Sequence, residues 1–194
     1  MKALRIGLVL CVLLSSMGCT LSLYSLFTMK DVTYDALLEG VWRSDEATWT
    51  IKPFHPPTGR YSIRVAIQDQ SVAEFGGRLG VVGNRRYLEL TPERPASIAP
   101  KSFYGGHFIE LHSFWKVALD DDTLLLTSLS HVWLDTMIKK GKVTLRMEKP
   151  LTGFPILTAS TEELQAFVIK FADDPGAFPV SGDEKGIRFS REKI

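Results

Sequence analysis

Tyr61-Ser62-Ile63-Arg64-Val65-Ala66-Ile67-Gln68 places a large apolar side chain at every odd position and a polar or small one at every even position. A period of two with β-branched residues belongs to a strand that has one buried and one wet face. The period recurs on both sides of this stretch. Trp49 and Ile51 alternate with Thr48, Thr50 and Lys52, and Ile109, Leu111, Ser113, Trp115, Val117 and Leu119 form one parity of a longer run. Val143, Leu145 and Met147 alternate with Thr144, Arg146 and Glu148. Less regular strands are predicted at 72–82, 86–91, 123–129, 153–158 and 187–191. Strands that are apolar on one side only call for an antiparallel sheet, not a parallel sheet covered by helices. Short turn signals separate them: Pro56-Pro57-Thr58-Gly59, Gly83-Asn84 and Asp120-Asp121-Asp122. The expected class is therefore mostly β, an antiparallel up-and-down barrel of about eight to ten strands, because closure hides edges that an open sheet would expose. A sandwich is the main rival. Gly76, Gly77 and Gly80 within one strand suggest a bulge or bend.

Two helices interrupt the strands. Ser130 can cap a helix through Val132, Trp133, Met137 and Ile138 that ends at Lys139-Lys140-Gly141. Ser160 and Glu163 form a capping box for a second, amphipathic helix at about 160–173, whose stripe is Leu164, Phe167, Val168 and Phe171. Phe108, Phe114 and Ala118, on the outward parity of the long strand, offer that stripe a landing site. Gln165 lies on the far side of the helix and is expected to face water.

The N-terminus reads as an address. Lys2 and Arg5 precede an apolar core from Ile6 to Leu14, then Ser15-Ser16-Met17-Gly18 leads to Cys19. That is the anatomy of a bacterial secretory signal, and a small residue directly before Cys resembles the lipobox of bacterial lipoproteins. The resemblance implies that Cys19 is lipidated and becomes the mature N-terminus. Thr20, where many inner-membrane lipoproteins carry Asp, implies the outer membrane. The alternative is a single N-terminal membrane span, since no charge occurs between Ile6 and Met29. Either reading puts the remaining chain outside the cytoplasm. The expected organisation is a signal peptide at 1–18, a lipidated N-terminus and connecting segment at 19–39, and one barrel domain at 40–194.

Of the 194 residues, 45% are hydrophobic and 23% charged, the balance of an ordinary globular domain with an extra apolar segment. Removal of Lys2 and Arg5 leaves 21 basic and 22 acidic side chains, a net charge of −1. No electrostatic case for nucleic acid survives. Cys11 would leave with the signal, so the mature chain cannot form an internal disulfide.

Gly40-Val41-Trp42 near the first strand, the up-and-down strands, the late helix and the final strand resemble the lipocalin (calycin-like) pattern. A closer resemblance is to a family of uncharacterised bacterial lipoproteins with a lipobox signal and a lipocalin-like barrel. It rests on Ser22-Leu23-x-x-Leu26-Phe27-Thr28-x-Lys30-Asp31, on Gly40 to Trp42, and on Leu157 to Phe167 running on to Ala172-Asp173-Asp174. It implies no known activity and no catalytic residue.

Chemistry is sparse. His55, His107, His112 and His131 are scattered rather than set at metal-ligand spacing, and Asp120-Asp121-Asp122 lacks the Gly and distal Glu of a calcium loop. No nucleophile elbow, phosphate loop or His-Glu-x-x-His occurs, so neither a metal, a cofactor nor an enzymatic activity is expected. The remaining candidate is the barrel interior. Trp42, Trp49, Tyr61, Phe75 and Trp115 are predicted to point inward, and Ser113 leaves room between Leu111 and Trp115. These six could line a site for a small apolar molecule or lipid, or could simply fill the barrel. Two readings follow: a lipid-anchored, non-enzymatic envelope protein that binds an apolar guest, or a ligand-free interaction module of an envelope assembly.

Overall fold

The computed structural model describes residues 20–54, 58–68, 72–94, 96–103, 105–150, 155–181 and 186–193. The strands are β1 Leu21–Ser22, β2 Gly40–Arg43, β3 Ala47–Pro53, β4 Arg60–Ile67, β5 Ala73–Val82, β6 Arg85–Pro92, β7 His112–Leu119, β8 Thr123–Ser128, β9 Met147–Glu148, β10 Ile156–Leu157 and β11 Ile187–Arg191. Helix α1 spans His131–Lys139 and α2 spans Thr161–Phe171. Seven strands, β2 to β8, run as a meander, and β11 returns between β8 and β2, while β6 pairs with β7. The result is a closed antiparallel barrel of eight strands, extended at β7 by the short strands β1, β10 and β9.

The opening stretch behaves as its alternation demands. Tyr61, Ile63 and Val65 are buried in the interior cluster while Arg64 is exposed. Trp49 and Ile51 join them from β3, Leu88 and Leu90 from β6, and Trp115 and Val117 from β7. Closure also explains why this sheet needs no protected outer edge in the ring.

Several local expectations are corrected. The β5 ladder is unbroken against β4 and β6, so its glycines form no bulge. They make room instead. A Cβ at Gly77 would strike Ile63 inside the barrel, and one at Gly80 would lie 2.6 Å from the Phe27 ring outside it. The run at 143–148 is a strand only at Met147–Glu148, because Val143 and Leu145 turn into the layer beneath the helices. The long strand starts at His112, not at residue 109; Ile109 is exposed. Within 153–158 only Ile156–Leu157 pairs, and residues 151–154 lie outside the described residues.

A second apolar layer covers the outer face of β5, β6 and β7. Val82, Tyr87 and Phe114 meet Leu134 of α1 and Leu164, Phe167 and Val168 of α2. Phe114 is thus the landing site for the stripe, whereas Ala118 stays exposed and Phe108 lies under the Arg94 guanidinium. Both helix starts have the caps their sequences imply: Ser130 accepts from Trp133 N, and Ser160 and Glu163 form the reciprocal box. Phe167→Ala should cost about 3 kcal/mol by emptying the centre of this layer, which urea unfolding would measure.

Residues 20–39, read as a connecting segment, are built into the fold. β1 pairs with β7 and β10, and Leu26 and Phe27 are buried between the barrel wall and α2. Beyond Arg78, where β4 ends its pairing, Thr33 N donates to Leu79 O and Val81 N to Asp31 O, both at 2.9 Å, so this segment continues the wall. It then crosses the barrel end in a 3-10 turn, Ala36–Leu38, and Leu38 plugs the interior.

Candidate functional site

The sequence-predicted site residues Trp42, Trp49, Tyr61, Phe75 and Trp115 all contribute to the barrel interior, Phe75 only half-buried. Ser113 shares the parity of Trp115 and is also half-buried, on the part of β7 that pairs with Leu90 and Leu21. The strands alternate, so each of these side chains is delivered inward by its position alone. The interior is then filled by rings. Trp49 meets Trp115 edge-on at 6.4 Å and Phe189 at 5.4 Å, and Trp42, Trp49, Tyr61 and Trp115 are each at most 3% exposed. An eight-stranded barrel is wide enough either for such filling or for one small apolar ligand.

At the closed end the groups interlock. Trp42 Nε1 donates to Leu38 O at 2.9 Å, and the Arg191 guanidinium sits over the Trp42 ring at 4.2 Å. Arg191 also donates to Asp121 O and Glu39 O at 2.6 Å and to Leu37 O. Tyr34 stacks on Tyr61, whose hydroxyl accepts from Asp35 N at 2.8 Å; burial pushes that phenol up to about 12. Two indoles deeper in the barrel differ. Trp49 Nε1 and Trp115 Nε1 are buried and have no hydrogen-bond partner among the described residues.

A polar cluster missed by sequence reading lies on the outside of the wall. Glu89 points outward from β6, yet its side chain is fully buried because residues 22–27 run across it. Its Oε2 accepts from Leu26 N at 2.7 Å, Arg78 pairs with Oε1, and His112 Nδ1 lies 3.2 Å from Oε1. Burial pushes the carboxyl up, but the His112 hydrogen bond, the Arg78 charge and the Leu26 N–H outweigh it and hold the group below its ordinary value. Ser25 belongs to the same cluster: its Oγ accepts from Arg78 at 2.7 Å and lies 3.3 Å from Glu89 Oε1. Ser, His and carboxylate therefore meet, but both Ser25 and His112 point at Glu89, an arrangement that clamps the segment and does not set an imidazole to take a proton from the serine.

The far side of the segment is held by α2. Thr161 Oγ1 donates to Ser25 O at 2.7 Å, and Gln165 Nε2 donates to Leu26 O at 2.9 Å and Asp31 Oδ2 at 2.8 Å. Gln165 is thus half-buried against residues 22–31, a strap laid across β6 and β5, contrary to the expectation that it faces water. Helical geometry places it away from Phe167 correctly, but a third element occupies that side. The stretches 22–31 and 157–167, which carry the family resemblance, are two halves of one contact. Gln165→Ala should cost about 1–2 kcal/mol through two lost hydrogen bonds and a buried acceptor, measured as a lower urea midpoint at unchanged slope.

One signal in the sequence could have found this cluster. Counting outward from the two-residue Gly83-Asn84 turn pairs Arg78 with Glu89 directly across the hairpin. Nothing comparable marks His112 or Ser25, which reach Glu89 from β7 and from a segment distant in the chain.

The other named residues fall into simpler places. Asp120 Oδ1 accepts from Asp122 N and Thr123 N, which makes the acidic triplet a hairpin turn. His107 Nδ1 lies 2.7 Å from Phe103 O, and His55 lies outside the described residues, as do Cys19 and the whole of 1–18. Among the described residues, open depressions of about 530 and 270 Å³ lie on the outer surface, one between α1 and Lys149, Pro150 and Pro155, and one at the β2–β3 and β4–β5 rim. Among the described residues no helix is long and apolar enough to cross a membrane. No family model, no curated protein and no solved structure matches the chain.

Proposed function

We propose that the protein is a lipid-anchored, non-enzymatic component of the bacterial cell envelope, attached at Cys19 to the outer membrane and facing the periplasm, whose barrel serves as a solid interaction module. The observation that carries the module reading is the filled interior: Trp42, Trp49, Tyr61 and Trp115, with Leu38 as a plug, leave the barrel occupied by its own side chains. The leader and Cys19 support the address. The clamp on Glu89 supports a structural use for the most enzyme-like cluster.

A second reading, carriage of a small apolar molecule or lipid, is favoured by one specific observation. The Trp49 and Trp115 N–H groups are buried donors without a hydrogen-bond partner among the described residues, a costly arrangement that a guest with an acceptor atom would relieve. Ser113→Trp separates the two. In a filled barrel the added ring overpacks the interior, costs about 1–3 kcal/mol by calorimetry, and leaves no saturable binding of 1-anilinonaphthalene-8-sulfonate in wild type or variant. Saturable binding to wild type that the variant loses, with little change in stability, would favour the carrier. Anchoring is tested by fatty-acid labelling, which Cys19→Ser should abolish while leaving an unprocessed precursor.

A further inference from the structure

The wall of the barrel begins with no slack. Thr20 is buried, and its Oγ1 donates to Leu129 O at 2.9 Å, directly before the Ser130 cap of α1. The next residue, Leu21, is already paired with Ser113 and Ile156. Residue 19 is one Cα spacing from Thr20, about 3.8 Å. An anchor at that residue cannot hold the domain away from a bilayer on a loose tether, so the side of the molecule around the start of α1 must meet the surface.

That side has a matching composition. The exposed face of α1 carries Val132, Thr136 and Lys139, at the i, i+4 and i+7 positions of one helical stripe, and the exposed C-cap Lys140 continues it. Val132 is 57% exposed. Beside the stripe lies the depression of about 530 Å³, lined by residues of α1 and by Lys149, Pro150 and Pro155. Among the described lining residues its one carboxylate, Asp135, is paired with Lys139 at 2.6 Å and with Lys149. The face runs from an apolar residue at the start of α1, beside the anchor, to lysines at its end, a combination that suits anionic headgroups over an acyl boundary.

We infer that the exposed face of α1 and the depression beside it rest on an anionic phospholipid bilayer. This inference rests on the reading that the chain is membrane-attached through its N-terminus. It adds an orientation: the α1 side of the molecule faces the membrane, and strands on the other side of the ring point away from it.

The test uses the full chain with its leader, purified from bacterial membranes and reconstituted in vesicles of phosphatidylethanolamine and phosphatidylglycerol. In a Cys11→Ser background, Val132→Cys and Arg64→Cys each carry a nitrobenzoxadiazole probe; Arg64 is exposed on β4, across the ring from β8. Thr136→Cys repeats the measurement on the same stripe. Lipid-borne nitroxides are expected to quench the probe at 132 and 136 strongly and the probe at 64 not at all. Quenching at 132 should fall when phosphatidylcholine replaces phosphatidylglycerol. Fatty acid on Cys19 together with equal quenching at 132 and 64 would overturn the orientation and leave the anchor standing. Absence of both fatty acid and vesicle association would overturn the anchor, and the orientation with it. Vesicle association without fatty acid, with the difference between 132 and 64 intact once Cys19→Ser is added so that no second thiol takes the probe, supports the orientation through a membrane span.

Discussion

Alanine in place of Glu89 should destabilise the protein by about 3–5 kcal/mol, the range for breaking one side of a buried charge pair. The carboxylate is fully enclosed, and its removal leaves the Leu26 N–H and the Arg78 guanidinium without their acceptor beneath the strap. The strap would then keep its β1 pairing, buried Leu26 and Phe27, and the α2 contacts, but would lose its charged anchor to the barrel wall. Urea unfolding monitored by tryptophan fluorescence measures the loss; a change under about 1 kcal/mol would show that Glu89 does not clamp this segment. The same group makes stability depend on acid. Its carboxyl titrates below the ordinary 4.5 in the folded state. Its contribution is therefore complete above that value and is lost as pH falls through the lower, folded one. Wild type should lose stability steeply in that acid window, and Glu89→Ala should show a shallower fall.

Trp42→Ala is the second large effect, about 4–5 kcal/mol, at the top of the range for truncating a buried aromatic ring. Trp42 is completely buried and does three things at once. It fills the interior, its Nε1 holds the carbonyl of the plug residue Leu38, and its ring supports Arg191. Arg191 in turn ties β11 to the β7–β8 turn and to the 3-10 turn. Loss of the ring should therefore loosen the end of the barrel as well as create a cavity. Hydrogen exchange would register this as faster exchange at Leu37 to Gly40 and Arg191 than at the mid-barrel residues Ile63 and Leu88. Uniform acceleration across the barrel would instead mean that Trp42 acts only as core.

Barrel strands were legible because alternation is a local property. Tyr61 to Ile67 and Trp49 with Ile51 each show their buried side within a few residues, and antiparallel neighbours joined by short turns then pair in order. The α2 capping box and its stripe were legible for the same reason. Alternation misled where it ran on without a partner strand. Val143 and Leu145 have the right spacing, but they are drawn into the layer under α1, and apolar burial there satisfies the pattern equally well.

By itself, then, the sequence determined that the chain alternates into antiparallel, half-buried strands, which aromatic residues share the buried parity, and where the helices start; closure into a barrel rather than a sandwich rests on the β6–β7 and β11–β2 pairings. Only the tertiary structure decided what covers the wet face. Glu89, Arg78 and Gln165 look like solvated positions by parity and by helical angle, and they are buried or half-buried because residues 22–31 return across β6 and β5. Whether an outward polar side chain meets water or another segment depends on residues dozens to more than a hundred positions away, and no local period carries that information.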